Sequence, residues 1–340
     1  MSSLAWQEEW RVRPATLDDL DAAVEMFNAR SLSFFGQSQT TVDDMRGWWT
    51  SPRFVPETDT RVVFDSSGRM VGWAHSGDPG EPYATIGLGV ITHPDVAGCE
   101  ELWDRLYAWA VERAKERLPL AAEGLRVTAF DSPLEADTAR CAAARRAGFK
   151  VVRVGNRMRI DLEHEIPAPV WPEGIDVRPA DLEQDIEAMC RANRESFRDH
   201  WGYVEEPFEQ NLEGWRSWVE GLGDSLDPTL WFLACEGDEI AGLGLFSSQI
   251  GGDMGRSYVE SLSVRPAFRK RGVALALLHH GFGEVARRGY EAVELDMDSE
   301  NLTGALRLYE RAGMRVIRRN LNYELVLREG TDVATRSIEA

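Results

Sequence analysis

The sequence predicts an α+β chain made of two tandem copies of one domain. Each copy is expected to be a mixed, mostly antiparallel sheet flanked by helices, with a central strand–helix–strand crossover. Three observations carry this. Two distant segments are alike, "RVRPATLDDLDAAVEMFNA" from Arg11 and "DVRPADLEQDIEAMCRAN" from Asp176, with Arg13-Pro14-Ala15 matching Arg178-Pro179-Ala180 at an offset of 165 (178 less 13). "RRAGFKVVR" likewise matches "ERAGMRVIR", with Gly148 opposite Gly313 at the same offset of 165; one offset at both ends of a segment of about 150 residues marks a duplication. Between the copies, "HEIPAPVWPEG" places Pro167, Pro169 and Pro172 in a stiff, extended linker. The expected organisation is therefore a first domain over 11–163, a linker over 164–174, a second domain over 175–328 and a flexible polar tail over 329–340.

The elements follow in order. Leu20, Ala23, Val24 and Phe27 recur at helical spacing, with Thr16 placed to cap the helix. In the second copy, Asp181 followed three residues later by Gln184 makes a capping-box start. "LWFLACEGDEIAGLGLFSS" reads as a hairpin turning at Gly237-Asp238, and its partner "RVVFDSSGRMVGWAHSG" turns at Ser67-Gly68. "SYVESLSV" is a strand, and the next helix carries Val273, Ala276, Leu277, Gly281 and Val285 on one stripe. "EAVELDM" is a strand, "TGALRLYERAG" a helix, and "MRVIRRNLNYELVL" is expected to close the copy with two more strands.

Composition bounds the function. The 340 residues are 43% apolar and 28% charged, ordinary globular material with room for two cores. A formal charge of −19 repels phosphate backbones and anionic lipid, which argues against nucleic-acid and membrane partners. Cys99, Cys141, Cys190 and Cys235 lie far apart with no ligand-spaced histidines, so neither a disulfide framework nor a metal site is expected. "MSSLAWQEEW" does not read as a signal peptide, and the expected setting is the cytoplasm, as a monomer or homodimer.

Against that acidity, "RKRGVALALL" gathers Arg269, Lys270 and Arg271 before Gly272 at a helix start. A helix start offers unpaired N–H groups and a partial positive charge, and Gly272 and Ala274 let a ligand approach the backbone. The alternative is a solvated helix end. No GxxxxGK[ST] or GxGxxG pattern is present.

"SLSVRPAFRKRGVALALL" resembles the signature of the GCN5-related N-acetyltransferase (GNAT) superfamily, R/Q-x-x-G-x-G/A between a strand and a helix, with Arg269, Gly272 and Ala274 at its defined positions. "NLTGALRLYERAGM" resembles a second signature, matching at Asn301, Ala305, Leu308, Tyr309 and Gly313, with Met314 for the usual Phe and one extra residue after Asn301. The resemblance covers 175–327 directly and the first copy through the repeat. Tandem copies, together with "RESFRDHWGYVEE", are also similar to the mycothiol synthase group.

The resemblance implies acetyl-CoA as co-substrate, with Arg269, Lys270, Arg271, Gly272, Val273, Ala274 and Asn301 on its side of the site and the main chain at Leu262, Ser263 and Val264 holding the acetyl carbonyl. It implies Tyr309 as the acid that protonates the leaving sulfur; without it, the residue reads as a core tyrosine. Alternation in "SYVESLSV" places Tyr258, Glu260, Leu262 and Val264 on one face, and a carboxylate in an apolar strand makes Glu260 the candidate base, with a structural ion pair as the competing reading. In the mycothiol synthase group the corresponding glutamate lies two residues earlier, where this chain has Tyr258. Glu294, Asp296 and Asp298 share a face of the next strand and are expected to be solvated. His200, Trp201 and Tyr203 stand where this fold builds its acceptor pocket, or anchor the loop. Trp48, Trp49, Trp215 and Trp218 are expected to pack, and His279 and His280 to lie on the surface. The expected reaction is acetylation of a small-molecule primary amine by direct attack in the second copy. The alternatives are protein acetylation and a non-catalytic acyl-CoA sensor or scaffold. Glu100-Glu101 and Ala144, where the second copy has its turn and Tyr309, mark the first copy as a structural one that binds no acyl-CoA.

Overall fold

A computed structural model describes residues 10–163, 165–223, 226–250, 253–299 and 304–333. The described chain forms two compact units, one of residues 10–154 with 319–333 and one of residues 155–318. The first contains β1 (Arg11–Arg13), α1 (Leu20–Phe35), α2 (Val42–Trp49), α3 (Pro56–Asp59), β2 (Thr60–Phe64), β3 (Met70–Ser76), β4 (Thr85–Thr92), α4 (Glu100–Lys115), β5 (Val127–Asp131), α5 (Thr138–Arg146) and the start of β6 (Lys150–Asp161). The second contains the rest of β6, then β7 (Asp176–Pro179), α6 (Leu182–Phe197), α7 (Phe208–Gly221), β8 (Trp231–Glu236), β9 (Glu239–Ser247), β10 (Arg256–Val264), α8 (Val273–Arg287), β11 (Ala292–Asp298), α9 (Ala305–Arg311) and the start of β12 (Arg315–Arg328).

The closing strands do not stay with their own copies. From Gly155 to Asp161, β6 pairs antiparallel with β11 in the second unit, and from Tyr323 to Arg328, β12 pairs antiparallel with β5 in the first. The compact units thus differ from the contiguous spans 11–163 and 175–328 by an exchange of strand ends. The two strands expected from "MRVIRRNLNYELVL" are one continuous strand, because nothing in that apolar–polar alternation breaks the extended backbone. Of the expected tail, residues 334–340 lie outside the described residues.

In each unit one parallel pair, β4–β5 or β10–β11, interrupts an otherwise antiparallel order. The repeat keeps its local bonds. Arg13 grips Asp19 at the first helix start, and Arg178 grips Asp185 at its counterpart. Thr16 donates to the Asp19 carboxylate through its N–H at 2.8 Å and its hydroxyl at 3.2 Å. Asp181 caps α6 by accepting from the Glu183 N–H; Gln184 donates to the Asp181 carboxylate, and the Asp181 N–H, which a capping-box glutamine would accept from, donates to Asp185 instead. The hairpins turn at Gly68 and Gly237, both with φ in the left-handed region.

Both faces of the second sheet are covered. On one, Phe246 meets Phe282 edge-on at 6.3 Å and lies over Gly281, where a Cβ would be only 2.1 Å from its ring. On the other, Met189 of α6 packs with Leu233, Leu243 and Leu245, and Trp218 stacks on Trp231. Trp49 stacks on Trp73 in the first unit, so these tryptophans pack as expected. His279 and His280 are half-buried rather than on the surface: the His280 ring meets Phe232 at 4.7 Å, and the buried Nε2 of His279 has no hydrogen-bond partner among the described residues. No described helix is long and apolar enough to cross a membrane.

Candidate active site

β10 and β11 are paired only from Arg256 to Tyr258, opposite Ala292 to Glu294. Past that point the strands separate, and a cleft of about 910 Å³ opens, walled by the ends of both strands, the 269–272 turn, the start of α8, and α9. Its β10 edge has no strand partner beyond Tyr258, so alternate main-chain N–H groups there face the opening.

The turn is shaped by its backbone. Lys270 and Gly272 have φ of +62° and +100°, and α8 begins at Val273. The Ala276 N–H is the first to reach back, to the Gly272 carbonyl at 3.1 Å, which leaves the N–H groups of Val273, Ala274 and Leu275 without helical acceptors. A Cβ at Gly272 would meet nothing within 4 Å; the conformation, not space, demands glycine.

The three cations of the turn are not equivalent. The Arg269 guanidinium is bound to the Asp199 carboxylate, to the Ser196 carbonyl at 2.8 Å and to the Val264 carbonyl at 3.3 Å. That guanidinium holds the Asp199 carboxyl below its ordinary range. Arg271 pairs with Glu236 at 2.7 Å and lies over the Phe268 ring. Lys270 is exposed.

The face expected from alternation in β10 is broken. Val259 lies opposite Phe246 and Ser261 opposite Leu245, so Glu260 is the extra residue of a β-bulge. Leu262 and Val264 therefore fall opposite Gly244 and Gly242 on the side of Leu277, while Tyr258 falls opposite Ser247 on the other. One inserted residue shifts the parity of everything after it. Glu260 itself is half-buried in the cleft wall. Burial raises its pKa, opposed by a hydrogen bond with Ser247 and the charge of Arg157.

Tyr309 lines the cleft from α9, and among the described residues its hydroxyl has no hydrogen-bond partner. Burial pushes it up to about 12. Ala305 is buried beside it, and Gly313 sits with its Cβ position 3.1 Å from Ile160. Asn301 lies outside the described residues. His200 is in the wall, its ring edge-on to Phe197 at 4.6 Å, with its pKa lowered by burial. Trp201 and Tyr203 do not line the cleft, and the Tyr203 hydroxyl donates to Glu205 at 3.0 Å.

The β11 carboxylates differ from the solvated row expected. Glu294 is only 4% exposed and is held by Arg256 at 3.1 Å, Arg157 at 3.3 Å and Arg159 at 3.6 Å. Asp296 is exposed but paired with Arg157, and accepts from the Tyr258 hydroxyl at 3.2 Å. Asp298 lines the cleft. Sequence reasoning missed Asp199, Arg307 and Arg311 in the wall; the two arginines, four apart within the second signature, carried a signal that could have been read.

In the first unit the corresponding opening is filled. β4 and β5 pair from Thr85 to Gly87, and beyond them Arg30 of α1 binds the Thr92 carbonyl at 3.1 Å and the Asp137 carboxylate. Arg140 and the Tyr107 hydroxyl both bind Asp131, each at 2.5 Å. Glu100 and Glu101 occupy the first turn of α4, and buried Ala144 stands at the position of Tyr309.

Residues 186–314 match the model of the acetyltransferase (GNAT) family. A mycothiol acetyltransferase of Thermobispora bispora is 30% identical over 311 residues, spanning 88% of this chain and 91% of that protein. One from Streptomyces bingchenggensis is 27% identical over 264 residues, 76% of this chain and 78% of that protein. Among solved structures, a GCN5-related N-acetyltransferase from Sphaerobacter thermophilus aligns with a TM-score of 0.81 at 28% identity, over 98% of this chain and all of that one. A tandem GNAT protein from the clavulanic acid biosynthesis pathway aligns at 0.71 and 16% identity, over 95% of this chain and all of that one, which shows the shared fold. With full-length likeness, a duplicated fold and the two signatures meeting at one cleft, the chain belongs to the GNAT superfamily as a tandem-domain N-acetyltransferase similar to the mycothiol acetyltransferases.

Proposed function

We propose that the second copy transfers an acetyl group from acetyl-CoA to the primary amine of a small molecule by direct attack. The carrying observation is the continuity of one cleft from the N–H groups at the start of α8 to the Tyr309 hydroxyl, which has no hydrogen-bond partner among the described residues. Acetyl-CoA supplies an activated acyl group and a polyanionic handle. The α8 N–H groups and the Gly272 turn suit the pyrophosphate, and the unpaired edge of β10 at Leu262 to Val264 suits the acyl carbonyl oxygen.

Tyr309 supplies the proton that the departing sulfur requires. A hydroxyl held at about 12 stays protonated across the working range, and burial withholds competing water partners. Glu260 takes a proton from the acceptor's ammonium so that the neutral amine attacks the acetyl carbonyl, its raised pKa bringing it nearer the working pH. His200 and the exposed carboxylate of Asp296 border the acceptor side.

The relatives' names point to the amine precursor of mycothiol as the first acceptor to test. CoA release should be followed with that amine, aminosugars, polyamines, amino acids, cysteinyl conjugates and a lysine peptide. Turnover with a small amine and not the peptide is expected. Binding of acetyl-CoA with no release for any amine would refute the reading.

A further inference from the structure

Five arginine and lysine side chains line the cleft: Arg269, Lys270, Arg271, Arg307 and Arg311. Two are neutralised by the protein, Arg269 by Asp199 and Arg271 by Glu236. Lys270, Arg307 and Arg311 are exposed and have no ion pair or hydrogen bond among the described residues. These three cations stay unpaired on one cleft although the chain has 57 acidic residues against 38 basic ones. Several arginines on other helices do pair with a carboxylate one turn away, as in Arg105–Glu101, Arg191–Glu187 and Arg288–Glu284. Arg307 and Arg311 are one turn apart on α9, where like charges repel and cost stability. Across from them on α8 stands His279, whose pKa is lowered by burial and then by the charge of Arg311.

Uncompensated positive charge converging on one rim calls for an anionic ligand. The α8 N–H groups and the Gly272 turn already provide for a pyrophosphate, and the cations of α9 stand on a separate element. CoA carries one further anionic group, the phosphomonoester on its ribose, with a charge of about −1.5 to −2 at neutral pH and acceptor oxygens suited to arginine. Resting on the acyl-CoA reading above, we propose that Arg307 and Arg311, assisted by Lys270, form the binding site for the 3′-phosphate of CoA and make the protein discriminate against its dephosphorylated form.

The test is calorimetric titration of the full chain with CoA and with 3′-dephospho-CoA, for the wild type, Arg307→Ala, Arg311→Ala and the double variant. Both substitutions are at exposed positions, and thermal melts check that each of the three variants is folded. The wild type should bind CoA roughly 10- to 100-fold more tightly than dephospho-CoA, a preference that shrinks with salt. The double variant should lose most of that preference, its affinity for CoA falling close to the wild-type affinity for dephospho-CoA, with Lys270 holding what remains. Equal affinity of the wild type for the two nucleotides would overturn the site while leaving the acyl-CoA reading intact. A loss of affinity for both nucleotides alike in the variants would also overturn it. Failure of the wild type to bind either would remove the acyl-CoA reading and this site together.

Discussion

Tyr309→Phe and Tyr107→Phe delete the same atom from the two copies, and opposite consequences are expected. The Tyr309 hydroxyl has no hydrogen-bond partner among the described residues, so its removal breaks no bond of the folded state. Melting should therefore move by less than about 2 °C, as for substitutions that disturb no buried interaction. If that hydroxyl is the acid, kcat falls roughly 10- to 1000-fold, about 1.4 to 4 kcal/mol of transition-state stabilisation, with acetyl-CoA affinity little changed. Tyr107, by contrast, donates to Asp131 at 2.5 Å while fully buried. A hydrogen bond to a charged group contributes about 1.5–3 kcal/mol, and Arg140 remains to hold the carboxylate. At about 2–4 °C per kcal/mol for a unit of this size, Tyr107→Phe should lower the melting temperature by roughly 3–12 °C and leave kcat alone. Calorimetric melts and steady-state kinetics on both variants decide the matter. Wild-type turnover in Tyr309→Phe would return that hydroxyl to packing, and a comparable loss of kcat in Tyr107→Phe would refute the division of labour.

Gly272→Glu should abolish measurable CoA binding by calorimetry while the protein stays folded, because the site is open but a carboxylate would face the anion and strain a φ of +100°. Glu260 must be deprotonated to act as base and its pKa is raised, so kcat/KM should rise with pH through that value; Glu260→Gln should lose this acidic limb, and an unaltered profile would pass the role to another group. Equilibrium titration should give one acetyl-CoA per chain, since paired charges from Arg30, Asp137, Arg140 and Asp131 fill the first copy's opening; two equivalent sites would contradict this.

What the sequence determined by itself is local or repetitive. The 165-residue offset, the hairpin turns at Gly68 and Gly237, the apolar stripe of α8 and the glycine turn before it are all written within short windows, because backbone preference and side-chain period act over a few residues. Tertiary structure decided the rest. The bulge at Glu260 depends on how β10 meets β9, and alternation counted along one strand passes over it. Arg269 reads as a cation for a ligand until Asp199, 70 residues away in the chain, is placed against it. Glu294 reads as solvated until three arginines surround it, two of them from β6, which the sequence assigns to the other copy. The exchange of β6 and β12 is hidden for the same reason: the copies are alike, so each closing strand satisfies either sheet equally well by pattern. Which carboxylate is buried, which cation is spent and which strand closes which sheet are properties of pairs distant in sequence, and no single segment encodes them.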